Sequence, residues 1–320
     1  MDIQWKQQHI NNACVPACVA MLLSQHNIQK EDYEIIFESK RPYLIEFNKS
    51  NISFNAGVLI QSSEVMNIVP NKYNLGMIHN EFSNFDCYLD KAKKLLNNNT
   101  AFLTSLAQGY IPSAGYKQNK NRNGHAVIVY KIKNDRFYFL DPDGGVNRRK
   151  NNRFDKVKDL VSYNIHKIEV QKILKIQNKF VIGHLTEQTR NKPNILNLLI
   201  DSKQVFNNLS KIFRNQMTAM INENGKCNYD QFYKFILQII KPVALDFKNA
   251  LLTIPNPSNR EQVLISKLDE LFTNTLIIQK SLKDNPDLII REYFDSLSEM
   301  IDKVQHVAIK VLDDEIEKCH

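Results

Sequence analysis

Glycine is scarce in this chain of 320 residues, and what there is sits on one side: of nine glycines only Gly225 lies beyond residue 190. The composition therefore changes near that point, and at this length the prior is about two domains. Paired cysteines are also missing. Five of them (Cys14, Cys18, Cys87, Cys227 and Cys319), odd in number and scattered, do not form a disulfide framework, which points to a reducing, cytoplasmic setting. Cys14-x3-Cys18 has no second Cys or His pair to complete a tetrahedral set, so no metal and no cofactor is expected. There is no apolar N-terminal signal segment, and no run approaches the roughly eighteen apolar residues of a membrane span. No nucleic-acid-binding motif or interleaved aromatic platform accompanies the basic residues, which argues against nucleic acid as a partner.

What is present begins at Gln8-His9-Ile10-Asn11-Asn12-Ala13-Cys14-Val15-Pro16-Ala17-Cys18. Ala17, Ala20, Met21, Leu22 and Leu23 predict a short apolar helix with Pro16 in its first turn, where a missing N–H costs nothing. Cys14 then opens that helix. Unpaired N–H groups and the positive end of the macrodipole favour a thiolate there, the form that attacks a carbonyl. Cys18, one turn on, reads as a small core residue. Gln8, six residues before Cys14, is placed to donate its amide to a developing oxyanion beside the Cys backbone N–H, with Gln7 next to it.

Further on, His125-Ala126-Val127-Ile128-Val129-Tyr130 reads as a strand, Asn134-Asp135 as a turn, and Arg136-Phe137-Tyr138-Phe139-Leu140 as the returning strand. The hairpin brings His125 back beside Asp141-Pro142. A carboxylate at that place holds an imidazole tautomer and stabilises imidazolium, although Asp141-Pro142-Asp143-Gly144-Gly145 also reads as a plain turn. Cysteine, histidine and aspartate occur in the order a papain-like thiol hydrolase needs.

These residues resemble the papain-like bacteriocin-processing (double-glycine leader) cysteine peptidases, whose pattern is a Gln, an Asp-Cys-Gly-x-Ala-Cys-like helix start, a His-x-Val strand and Asp-Pro. Gln8, Cys14, Ala17, Cys18, His125, Val127, Asp141 and Pro142 match over roughly residues 1 to 185. The resemblance implies Cys14 as nucleophile, His125 as general base, Asp141 as orienting acid and Gln8 as oxyanion-hole donor. Ala13 and Val15 stand where that pattern has Asp and Gly, so the family's substrate preference is not carried over. Nor is its leader-peptidase role in exporters, because no transporter region is evident here.

Helical spacing over Gly57 to Val69 and Phe85 to Leu96, a buried strand over Thr100 to Leu106, and alternation over Asn164 to Val170 and Lys179 to His184 predict an α+β domain. Its antiparallel sheet packs against the Cys14 helix. From Asn194 the pattern is helical. Asn224-Gly225 stops one helix, Asn228 starts the next, Ser258-x-x-Glu261 is a capping box and Asn285-Pro286 opens the last, whose seam runs Ile290, Phe294, Leu297, Ile301, Val304, Ala308, Val311. Four long helices in a bundle are expected. The division is thus a papain-like catalytic domain at 1–190 and an all-α helical bundle for substrate or partner binding, or targeting, at 191–320.

Charge divides in the same place: Lys and Arg outnumber Asp and Glu 26 to 17 up to residue 190, and stand at 16 to 17 after it. Lys117, Lys120 and Arg122 precede His125, and Arg148, Arg149, Lys150 and Arg153 follow Asp141. They read either as a solvated basic loop or as a rim that steers an acidic protein or a phosphoinositide-bearing membrane. The acidic end Asp313-Asp314-Glu315-Ile316-Glu317-Lys318 reads as a solvated helix end or as similar to tail signals of effectors that intracellular bacteria export into a host cytosol. The expected function is a cysteine protease acting on a protein. The alternatives are a deubiquitinase-like enzyme, a deamidase or an acyltransferase using the same triad, since an acyl-enzyme can be resolved by an amine when water is excluded, or a non-catalytic binding module.

Overall fold

The computed structural model describes residues 2–107, 124–143, 162–167, 170–171, 179–187, 192–285 and 288–320. In chain order its first elements are α1 (Cys14–Ser24), α2 (Asp32–Glu38), β1 (Ile45–Asn48), β2 (Ser53–Ala56), α3 (Ser63–Asn71), β3 (Gly76–Phe82), α4 (Phe85–Asn97) and β4 (Phe102–Ala107). The strands β5 (Gly124–Lys133), β6 (Arg136–Leu140), β7 (Ser162–His166) and β8 (Phe180–Thr186) follow, and from Ile195 the described elements are helical. Two compact units divide the chain, one of Met1–Ser39 with Gln61–Pro193, the other of Lys40–Ile60 with Asn194–His320.

The first unit is built on a six-stranded sheet of order β3-β8-β4-β5-β6-β7, antiparallel at each pairing. Alternation along its strands decides which helix covers which face. Leu103, Ala126 and Ile128 pack with Val15, Cys18, Val19 and Leu22 of α1. Their neighbours Phe102, Val127 and Val129 pack with Tyr88, Leu89 and Ala92 of α4. Ten of the eleven residues of α1 are buried, which is why it is apolar all round rather than striped. The β5–β6 hairpin turns at Asn134 and Asp135, both left-handed at φ 50° and 55°, as a tight hairpin turn requires. Lys133 pairs with Arg136 and Ile128 with Leu140, across a register shift between Val129 and Lys131.

The helix expected over Gly57 to Val69 is two pieces. Gly57–Leu59 is a 3₁₀ turn and α3 starts only at Ser63, capped by Ser62 Oγ, which accepts from Val65 N at 3.4 Å. Gly57 has φ +55°, and an added Cβ would sit 2.5 Å from the Asp246 carbonyl oxygen, so the chain cannot run helically through it. β7 covers Ser162–His166, a shorter and earlier strand than the alternation from Asn164 to Val170 predicted.

In the second unit the helices are Ile195–Asn207, Leu209–Met220, Tyr229–Phe235, a π-helical stretch Ile236–Asp246, Phe247–Leu251, Asn259–Asp284 and Arg291–Glu317. The first two are separated only by Asn208, and the next three follow one another without a break, so with the last two, of 26 and 27 residues, the helices form four long stretches, the number expected. The last starts at Arg291 rather than at Asn285, although its seam from Ile290 to Val311 is buried throughout as the spacing requires. Asn224-Gly225 does not stop a helix directly. The helix ends at Met220 and Gly225, at φ +75°, turns the chain between the bridged residues Ile221 and Cys227. The capping box forms: Ser258 N donates to Glu261 Oε2 at 2.6 Å, and Glu261 N to Ser258 Oγ at 3.3 Å. The hairpin β1–β2 belongs to this unit, held by Ile45 N donating to Ser202 Oγ at 3.1 Å and by the nearby Tyr43 hydroxyl donating to Glu261 Oε1 at 2.8 Å. The acidic end is engaged rather than free: Asp313 pairs with Lys203, Asp314 with Arg260, and buried Glu315 with Lys40 and Lys318. Among the described residues no helix is long and apolar enough to cross a membrane.

Candidate active site

Three side chains of the first unit, two from elements and one from just past the end of a strand, meet. Cys14 is the first residue of α1, whose N-cap, Ala13, offers no side-chain oxygen, so the first-turn N–H groups keep their electrostatic pull. His125 is the second residue of β5, paired opposite Leu106 of β4. Asp141 follows the last residue of β6. The ring Nε2 of His125 lies 2.8 Å from Asp141 Oδ1, with His125 5% and Asp141 1% exposed. Since Nε2 is taken by Asp141, Nδ1 is the ring nitrogen left to serve the half-buried Cys14 sulfur, with which His125 shares a hydrogen bond.

The electrostatics of the pair are opposed and matched. Burial works to raise the Cys14 thiol, but the hydrogen bond and charge of His125, with backbone N–H groups of Ala126 and Val15, bring it below its ordinary value. Burial works to lower His125, but hydrogen bonds and charges from Asp141 and Cys14 carry it well above its ordinary value. A thiolate beside an imidazolium is the state both directions favour. Cys18 goes the other way: burial first, then the Cys14 and Asp141 charges, push its thiol well up, leaving it a neutral core thiol.

Asp141 is held by its own turn. Its Oδ1 also accepts from Asp143 N at 2.9 Å, its carbonyl oxygen accepts from Trp5 Nε1 at 2.7 Å, and the Pro142 carbonyl accepts from Gln8 N at 2.8 Å. Gln8 is buried, and its Nε2 donates to the Ile10 carbonyl at 2.9 Å in the loop that leads into Cys14. The basic residues Lys117, Lys120, Arg122, Arg148, Arg149, Lys150 and Arg153 lie outside the described residues. Among the described residues no group of three or more His, Cys, Asp or Glu is placed to hold a metal ion.

Two residues at this site escape a reading of the sequence. Trp5, the one tryptophan of the chain, is tied to Asp141 across 136 positions, a contact no local pattern encodes. Asp32 opens α2, and its only signal is a short acidic start, Glu31-Asp32, before an apolar turn.

A half-buried cysteine at a helix start whose thiolate is favoured by a neighbouring imidazole is the chemistry of a thiol hydrolase. Residues 1–167 match the model of the Peptidase_C39 like family, and because the match takes in more than half the chain, the chain belongs to that family and is a cysteine peptidase. No curated protein matches it.

Proposed function

We propose that the chain hydrolyses a protein substrate through a papain-like triad of Cys14, His125 and Asp141, with Gln8 and the Cys14 backbone N–H stabilising the oxyanion. The Cys14 thiolate adds to the scissile carbonyl, and the imidazolium of His125 gives its proton to the departing amine, leaving a thioester. Neutral His125 then takes a proton from water, which displaces Cys14 and releases the acid. Asp141 keeps Nε2–H in place and stabilises the charged ring. The observation that carries the proposal is the 2.8 Å His125–Asp141 contact coupled to a depressed Cys14 and a raised His125.

The domain roles are part of the same proposal: catalysis in the N-terminal region and partner or substrate holding by the C-terminal helices. The acidic end takes part in ion pairs within the helical unit, so the proposal does not rest on its being an export signal. Resolution of the thioester by an amine, giving transfer rather than hydrolysis, uses the same residues and is separated from proteolysis by the products. The test is iodoacetamide labelling together with mapping of new protein N-termini in wild type and Cys14→Ala. Labelling of Cys14 far faster than Cys18, Cys87, Cys227 or Cys319, and new termini that vanish in Cys14→Ala, are expected. Equal labelling and identical termini in the two proteins would end the proposal.

A further inference from the structure

Asp32 lies outside the triad, yet its carboxylate is fully buried and three of its four hydrogen bonds go to the segment that carries Gln8. Oδ2 accepts from the backbone N–H groups of His9 at 2.7 Å and Ile10 at 2.9 Å. Oδ1 faces His9 Nδ1 at 2.9 Å and accepts from Tyr33 N at 2.9 Å. Four hydrogen bonds to one desolvated side chain form a rigid anchor, because each lost bond would leave a buried polar group less satisfied.

What the anchor holds is the geometry on both flanks of the triad. The carbonyl of Ile10, the residue whose own N–H is gripped by Asp32, accepts both the Gln8 amide at 2.9 Å and Ala13 N at 3.2 Å at the entry to α1. Two residues back along the same segment, Gln8 N grips the Pro142 carbonyl beside Asp141 at 2.8 Å. One carboxylate thus fixes the orientation of the Gln8 amide relative to the helix that presents Cys14. We infer that Asp32 is a positioning residue for the oxyanion-stabilising group, acting through Gln8 and touching neither substrate nor sulfur. This rests on the role of Gln8 proposed above.

The distinction can be read with two reagents on the full-length protein. Iodoacetamide alkylates a thiolate by displacing iodide and develops no oxyanion. p-Nitrophenyl acetate acylates it through a tetrahedral oxyanion, losing p-nitrophenolate, so only the second reaction senses a misplaced donor. Asp32→Asn keeps the size but presents an amide N–H₂ toward N–H donors. It is expected to slow acylation of Cys14 about 10- to 100-fold, the scale of a displacement near 1 Å, while the rate and pH profile of alkylation stay as in wild type. Asp32→Asn combined with Gln8→Ala should be no slower than Gln8→Ala alone. Should Asp32→Asn not fold, Asp32→Glu, which keeps the charge but moves the oxygens by a methylene, is read in the same way. Equal loss in both reactions would make Asp32 a general structural residue, and multiplying effects in the double variant would make it independent of Gln8; either overturns the inference. If Gln8→Ala itself leaves acylation unchanged, the oxyanion reading fails and takes this one with it. Slow acylation in Gln8→Ala with normal acylation in Asp32→Asn overturns this inference alone.

Discussion

Replacing Asp141 by asparagine tests the centre of the mechanism, and the structure fixes which way the new amide must face. Among the described residues both hydrogen bonds of the carboxylate use one oxygen: Oδ1 serves His125 Nε2 at 2.8 Å and Asp143 N at 2.9 Å. Oδ2 is buried and has no partner among the described residues. An asparagine with its carbonyl oxygen at the Oδ1 place keeps both bonds and puts its N–H₂ at the Oδ2 place. The flipped amide would aim its hydrogens at the Asp143 N–H. Ring tautomer and fold should therefore survive, with about 1–3 kcal/mol of stability lost to the buried unpaired N–H₂. What disappears is the charge opposite the imidazolium. Unit charges about 4 Å apart at an effective dielectric of about 20 attract by roughly 4 kcal/mol, and allowing for relaxation a loss of about 3–4 kcal/mol corresponds to roughly 10²- to 10³-fold in rate. The assay is acylation by p-nitrophenyl acetate across neutral pH, with circular dichroism as the control for folding. A folded Asp141→Asn protein within about threefold of wild type would refute the reasoning, for the buried charge would then contribute almost nothing to the transition state. A large loss in Asp143→Asn instead would move the role two residues along the turn.

Two other outcomes follow from named contacts. His125→Ala removes the hydrogen bond and the charge that depress Cys14 while leaving the burial that raises it, so the sign of the change is upward. Half-maximal alkylation by iodoacetamide should move to higher pH, with about tenfold less thiolate at neutral pH for every pH unit the midpoint climbs; an unmoved profile would mean that His125 does not set the thiolate. Gly57→Ala forces a side chain into a left-handed position and against the Asp246 carbonyl and the Ala250 methyl, at 2.5 and 2.8 Å. It should cost about 2 kcal/mol or more, read as a lower urea midpoint of the helical circular dichroism signal, and an unchanged midpoint would show that the turn relaxes freely.

How far the sequence could be read depended on the range of the interaction that decides each feature. The Cys14 helix, the β5–β6 hairpin and the Ser258 capping box are settled within a few residues: a proline in a first turn, a pair of left-handed turn residues between alternating apolar runs, and a Ser spaced three from a Glu. Such features are visible because local sterics and periodicity determine them. The π-helical stretch of the second unit was not legible, for a physical reason as well. Periodicity marks which face is buried but not where a helix pauses, and the π-helical run Ile236–Asp246, with Pro242 inside it, carries an apolar pattern that reads on as ordinary helix.

The residues that escape a sequence reading act over distances that leave no local trace. Residues 40–60 sit in the N-terminal third of the chain, yet Tyr43 bonds Glu261 across 218 positions and Ile45 bonds Ser202 across 157, and nothing in Tyr43-Leu44-Ile45 names those partners. Asp32 poses the same difficulty more sharply. An aspartate at the first position of a short helix is ordinarily a solvated charge favoured by the helix dipole, and here the dipole alone would account for its presence. Its burial follows from the return of His9 and Ile10 with two N–H groups that α2 does not supply, so three of the four bonds to the carboxylate come from outside its own helix. A buried side chain with three backbone N–H groups among its four partners cannot be moved without releasing the segment it grips. That is why a residue with no chemical role in the reaction can still govern where Gln8 lies.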